Sequence, residues 1–212
     1  VTETDEHGIP QPPPGGSAAK RAVIAEAALV EFLGAGYAAT SVDAVAAGAG
    51  VSKPTVYRYF GSKEGLFLAV VGETLRGAYA ELPELGEEPG TALTGYLGAL
   101  SRVSLRPRVL GLRRLVIGEV ERFPQLGALW TAINERTTDT RLAEAFDRYG
   151  RAGLLALPDP AMAVRQVVSL TLGALLLPAI FRPDQVVTDT EVDHVVSAGV
   201  TAFLGRYALA RR

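Results

Sequence analysis

From Ser17 onward the apolar residues recur at intervals of three and four, and no stretch alternates apolar with polar residues as a half-buried strand would. The pattern predicts an all-α chain. Ile24, Ala27, Ala28 and Phe32 lie at i, i+3, i+4 and i+8 and form one stripe, which Gly34 and Gly36 bring to an end. A second helix turns Val42, Val45 and Ala46 inward. Thr40 with Asp43 three residues on fits a capping box there, Ser41 is an alternative cap, and Gly48 to Gly50 close the helix. Ser52 is placed to cap a third helix, Lys53 to about Tyr59, with Pro54 in the first turn, where a missing N–H costs nothing. A fourth helix begins near Ser62 and runs to about Leu82, ahead of Pro83, Gly86, Pro89 and Gly90. Breaks at Pro107, Pro124, Pro158, Pro160 and Pro183 complete a set of about nine helices, three short ones before residue 60 and six longer ones after it.

The late helices are the most apolar. Residues 167–181 run for 15 positions without a charge, short of the roughly 20 needed to cross a bilayer. A helix apolar on all sides is buried, here against a second subunit or, as the alternative, inside its own domain. Val192, Val195, Val196, Gly199, Val200 and Phe203 repeat at helical spacing in the last helix, so that two helices from each of two chains can form a four-helix interface about a two-fold axis. At the other end, residues 1–16 hold Pro10, Pro12, Pro13, Pro14, Gly15 and Gly16 with little that is apolar, which predicts a disordered tail without the pattern of a signal peptide. The expected division is a tail at 1–16, a first helical domain at 17–64 and a larger helical domain at 65–212.

Composition narrows the chemistry. The 212 residues include no cysteine and two histidines, His7 and His194, so disulfides, cysteine nucleophiles, His-centred triads and multi-histidine metal sites are not expected. No Gly-rich phosphate loop and no set of nucleophile, base and orienting group stands out, so no enzyme, catalytic residue, metal or cofactor is expected. The net charge of -2 argues against a general nucleic-acid coat but leaves room for local DNA contact. Residues 52–63 supply it, with Lys53, Arg58 and Lys63 and no acid.

Two short helices joined by a glycine-containing turn make a helix-turn-helix, whose second helix enters the major groove. Lys53 and Lys63 offer charge to phosphates, Tyr57 and Tyr59 offer hydroxyls, and Arg58 can bond bidentately to guanine. The N-terminus of the fourth helix, beside Lys63, favours an anion, and Thr40 can act likewise at the second helix. Val51, Val56 and Phe60 are assigned to packing. Lys20 and Arg21 read as solvated residues of a helix start, with a phosphate or minor-groove contact as the alternative.

The stretch AVIAEAALVEFLGAGYAATSVDAVAAGAGVSKPTVYRYFGSKEGLFLAVV, residues 22–71, resembles the DNA-binding domain of the TetR/AcrR family of transcriptional regulators. Phe32, Gly36 and Tyr37, Thr40 to Val42, Ala49 to Ser52, Thr55, Tyr57, Tyr59 and Phe60, Ser62 to Glu64, Leu66 and Phe67 carry the likeness in order and without a gap. Glu31, where an apolar residue is usual, and Gly48 within the second helix depart from it. The resemblance implies a cytoplasmic helical homodimer, with no membrane involved, in which residues 17–64 are the helix-turn-helix domain that binds a double-stranded DNA operator and residues 65–212 the larger ligand-binding and dimerisation domain. It places Thr40, Ser52, Lys53, Pro54, Thr55, Tyr57, Arg58, Tyr59 and Lys63 at the DNA. Residues 113–130, RRLVIGEVERFPQLGALW, resemble an AefR-like C-terminal subgroup.

The expected function is a ligand-responsive repressor released from a palindromic operator by a small, largely apolar effector. The alternative is a helical small-molecule-binding or interaction protein with a vestigial DNA-binding domain. The effector is expected among the helices of residues 91–149, with Glu119 and Trp130 as candidate lining residues, although packing and solvated roles suit both side chains as well.

Overall fold

The computed structural model describes Thr4, Ile9 and residues 17–209, and among these residues the chain is helical with no strand. The tail expected at 1–16 lies outside the described residues apart from Thr4 and Ile9; Ile9 is buried against Gly72, where any Cβ would collide with its side chain. The helices are α1 (Ala18–Ala39), α2 (Val42–Gly48), α3 (Lys53–Phe60), α4 (Lys63–Tyr79), α5 (Pro89–Leu105), α6 (Pro107–Glu119), α7 (Pro124–Asn134), α8 (Thr140–Arg151), α9 (Pro160–Val168), α10 (Ala174–Phe181) and α11 (Asp189–Tyr207). A π-helical turn at Glu135–Asp139 joins α7 to α8, and another at Ser169–Gly173 joins α9 to α10, so the described residues form nine continuous helices. That matches the number read from the breaks in the sequence, but α1 is 22 residues rather than short. Its alanine-rich stripe continues past Gly34, and the helical backbone breaks only at Gly36, whose φ of 80° an L side chain rarely adopts.

By compactness the chain falls into two units. One unit takes Val1–Gly77 together with Gly111–Ile133, the other Ala78–Leu110 together with Asn134–Arg212. In the first, α1 contributes Ile24, Ala28 and Phe32, α2 contributes Val45, α3 contributes Val56 and Phe60, and α4 contributes Leu66, Phe67 and Val70, all buried. Ser41 rather than Thr40 caps α2, accepting from the Ala44 N–H at 3.0 Å, and Ser62 caps α4, accepting from the Gly65 N–H at 3.0 Å. Arg21, read above as solvated or DNA-facing, is neither. It is 9% exposed, donates to Glu73 at 2.8 Å and to the Tyr59 carbonyl at 3.3 Å, and lies 4.5 Å over the Phe60 ring. It therefore ties α1 to α3 and α4, a buried cation that needs all three partners.

In the second unit α5 packs along α11, and Arg102 of α5 donates to Asp189 at 2.8 Å and to Asp193 at 2.5 Å. Gly199 lets α11 lie against the π turn before α10, because a Cβ there would sit 2.6 Å from the Leu170 carbonyl oxygen. The 160–181 helix is two-faced in the isolated chain. Val167, Thr171, Leu175 and Ala179 are buried, whereas Leu170, Leu177 and Phe181 are 44%, 61% and 76% exposed. By length and composition alone, Ala18–Ala39 and Pro160–Phe181 are each long and apolar enough to cross a membrane.

Candidate nucleic-acid interface

Helix α3 sorts its residues by period. Val56, Tyr59 and Phe60, at i, i+3 and i+4, are buried, and Ser52, Lys53, Pro54, Tyr57 and Arg58 are exposed on the opposite side, with Thr55 half-buried at its edge. The exposed residues thus bring two cations, two hydroxyls and the proline of the first turn onto one surface. Gly50, with φ of 63°, and Gly61, with φ of 71°, let the chain turn sharply on both sides of this helix. Ser52 does not cap α3 by its side chain; its hydroxyl is 2.9 Å from that of Thr55. Both hydroxyls stay at the surface.

Two of the nine candidate DNA residues lie inside instead. Thr40 is 3% exposed and its hydroxyl donates to the Gly36 carbonyl at 2.8 Å, closing the end of α1. Tyr59 is 2% exposed and its hydroxyl accepts from the Ser17 N–H at 3.0 Å. Their residue types suited phosphate contact, but Tyr59 stands three residues after Val56 and beside Phe60 on the buried side of α3.

Each cation near this surface has an internal partner. Lys53 of α3 donates to Asp43 of α2 at 2.8 Å, with both side chains largely exposed, and that hydrogen bond raises the Lys53 pKa above its ordinary value. The Arg58 guanidinium lies 5.6 Å from the Tyr59 ring centre. Lys63, at the start of α4, donates to the Ala38 carbonyl at 3.2 Å and lies 4.6 Å over the Tyr37 ring.

Tyr37 connects that corner to a distant stretch of sequence. Its ring lies 5.0 Å from Phe67 and meets Phe123, in the α6–α7 connection, edge-on at 4.9 Å. Burial pushes its phenol pKa up, and the carboxylates of Glu64 and Glu119 add to the rise while Arg122 opposes it. Glu119 therefore belongs to the surroundings of Tyr37. Trp130 is half-buried, with the Arg113 guanidinium 4.7 Å over its ring. Both candidate effector residues belong to the Gly111–Ile133 part of the first unit, whereas a cleft of about 520 Å³ in the second is lined by Glu87, Glu88, Arg148 and Tyr149 among others. Asp43, Tyr37 and Phe123 were not singled out from the sequence as parts of the site.

A helix-turn-helix with an exposed polar and cationic face, borne by an otherwise helical chain, defines a DNA-binding regulator. Comparison with known proteins specifies it further. Residues 24–70 match the family described as bacterial regulatory proteins, tetR family, and residues 91–209 match the C-terminal domain of AefR-like transcriptional repressors. A solved structure described as a TetR-family transcriptional regulator from Mesorhizobium loti is 30% identical, with a TM-score of 0.80, over 91% of this chain and 98% of that one. The flavonoid-responsive regulator FrrA is 30% identical, with a TM-score of 0.76, over 92% of this chain and 100% of its own. A TetR-family transcriptional regulator from Pseudomonas syringae pv. tomato is 28% identical, with a TM-score of 0.74, over 92% of this chain and 100% of its own. No curated protein matches the chain. The chain belongs to the TetR family of bacterial transcriptional regulators.

Proposed function

We infer that this regulator is a cytoplasmic homodimeric repressor that holds a palindromic operator through the exposed face of α3 and releases it when a small, uncharged and largely apolar effector binds. The observation that carries this reading is the face formed by Ser52, Lys53, Pro54, Tyr57 and Arg58, with Thr55 and Lys63 at its margin. Arg58 is assigned to a guanine edge, Lys53 and Lys63 to phosphates, and the Tyr57, Ser52 and Thr55 hydroxyls to phosphate oxygens. Thr40 and Tyr59 are left with structural roles.

The exposed apolar residues Leu170, Leu177 and Phe181 support pairing through the 160–181 helix and α11, which would place two recognition helices on one duplex. Successive major grooves are about 34 Å apart, so the effector would act by favouring a spacing of the two recognition helices that misses them. The effector class is supported by the interior of the second unit, where the buried polar groups among the described residues are the hydroxyls of Ser101, Ser104, Thr138 and Thr171 and of the buried tyrosines, Tyr96 among them, and none is a charged side chain. Among the described residues a charged ligand would find no fully buried counter-ion in that interior.

Selection of bound duplexes from a random-sequence pool tests this reading. An enriched inverted repeat with a guanine at one fixed position of each half-site is expected. Enrichment of a single half-site, or of nothing, would contradict it.

A further inference from the structure

A carboxylate of α2 stands beside the exposed face of α3. Asp43 lies in the first turn of α2, its side chain is 68% exposed, and its Oδ2 accepts from the Lys53 ammonium at 2.8 Å across the turn of the helix-turn-helix. The cap of α2 is already supplied by Ser41, so the carboxylate is not needed to accept the backbone N–H groups of the first turn. Nor is it shielded, because both partners of the pair face solvent. Among the described residues its one direct partner is Lys53, the cation at the start of α3.

We propose that Asp43 is a specificity-setting residue that acts through Lys53, serving as a built-in counter-ion that suppresses binding to non-specific DNA. The proposal rests on the assignment of Lys53 to a phosphate. A free lysine that meets a phosphate displaces a condensed counter-ion from the DNA, and this release drives non-specific association. A lysine already paired with a carboxylate must first leave it, and the exposed carboxylate then attracts a cation from solution. The exchange releases about as many ions as it takes up. Lys53 accordingly contributes little on an arbitrary sequence, where the contact is poorly aligned, and contributes fully only where base contacts hold α3 deep enough in the groove to draw the ammonium away from Asp43.

The test uses the full chain and a mixed-sequence duplex of about 30 base pairs, with affinity followed over a salt series. Asp43→Asn should bind this duplex about three- to ten-fold more tightly near 0.1 M salt, and the slope of log K against log salt should steepen by about 0.9 per protomer. Asp43→Glu should return both quantities toward those of the parent chain. In a Lys53→Ala background the gain should vanish. Thermal melting of each variant separates these effects from loss of the fold.

An Asp43→Asn protein that binds mixed-sequence DNA no better than the parent, or more weakly, would overturn the proposal and make the carboxylate a positioner of Lys53 for contact. A gain that persists without Lys53 would show simple repulsion between Asp43 and DNA, which also overturns it. On the mixed-sequence duplex Lys53→Ala alone should change affinity little; if it also leaves unchanged the affinity for a duplex selected from a random-sequence pool, the assignment of Lys53 to a phosphate fails first and the proposal falls with it.

Discussion

Phe123 meets the ring of Tyr37 edge-on at 4.9 Å, and the same ring lies under the Lys63 ammonium at 4.6 Å. A residue of the α6–α7 connection is thus one side chain away from a cation assigned to the operator backbone. Phe123→Ala should cost about 1 kcal/mol or more in stability, since an aromatic pair contributes roughly 0.5 to 1.5 kcal/mol beyond its buried area. It should also weaken DNA binding on all sequences alike, because it loosens the support of Lys63. Urea melts and duplex titrations measure the two effects, and a stability loss with unchanged DNA affinity would separate Phe123 from the DNA surface.

Arg58 and Lys63 should fail differently. Arg58→Ala should lower discrimination at one base pair by about 1 to 3 kcal/mol, whereas Lys63→Ala should weaken every sequence and reduce the salt slope. Competition titrations against single-base variants of a selected site distinguish them. Equal loss on every sequence for Arg58→Ala would make it a phosphate contact.

The residues whose burial was not read from the sequence show how far a local pattern reaches. The helix-turn-helix was legible because its caps, glycines and inward stripe all lie within about fifty consecutive residues, 22–71. Thr40, Tyr59 and Arg21 were judged by the chemistry of their side chains, and each turned out to be buried. For Tyr59 the three-residue step from Val56 was a usable signal. For Arg21 the decisive partners, Glu73, Phe60 and the Tyr59 carbonyl, lie 38 or more positions away, and no local period reports them. The same holds for Phe123 on Tyr37 and for the inclusion of Gly111–Ile133 in the first unit. The two π turns also left no mark in the apolar pattern, because a single wide turn shifts the phase by one residue.

The structural role of Arg21 makes a prediction of its own. Arg21→Ala should destabilise the fold by about 1 to 3 kcal/mol, less than the value for a fully buried pair because Glu73 is 32% exposed. Folded protein should keep its affinity for DNA. Undiminished stability with weakened DNA binding would restore Arg21 to the interface.

Among the described residues the second unit holds three buried hydroxyls without a hydrogen-bond partner, those of Ser101, Ser104 and Thr138. A buried polar group left unpaired costs about 1 to 3 kcal/mol. Ser101→Ala should therefore raise stability by about 1 kcal/mol or more, helped by alanine's higher helix propensity within α5. A lower melting temperature for that variant would mean that the hydroxyl is satisfied in solution.

Alkaline pH offers a further check. Burial pushes the Tyr96 phenol up to about 12 from the ordinary 10.0, and its hydroxyl donates to the Thr137 carbonyl at 2.9 Å. The folded chain keeps this proton where the unfolded chain has lost it, so the contribution is intact below pH 10 and is lost as pH rises toward about 12. Tyr96→Phe should make the alkaline loss of stability shallower in urea melts at successive pH values. An unchanged profile would place the phenol in water.

The pairing of two chains is tested at Leu177, which is 61% exposed in the isolated chain. Leu177→Glu should yield a helical monomer by sedimentation, with operator affinity reduced at least a hundredfold. A dimer that survives this substitution would move the interface elsewhere.

The central claim is sequence-specific DNA binding by the face of α3, and fluorescence anisotropy tests it most directly. The purified chain would be titrated against the region upstream of its own gene and against a scrambled duplex of equal length, each over a range of salt. Saturable binding to the upstream region, at least a thousandfold tighter than to the scrambled duplex, is the predicted result. Equal and steeply salt-dependent binding to both, persisting when the duplex selected from a random pool is substituted, would contradict it.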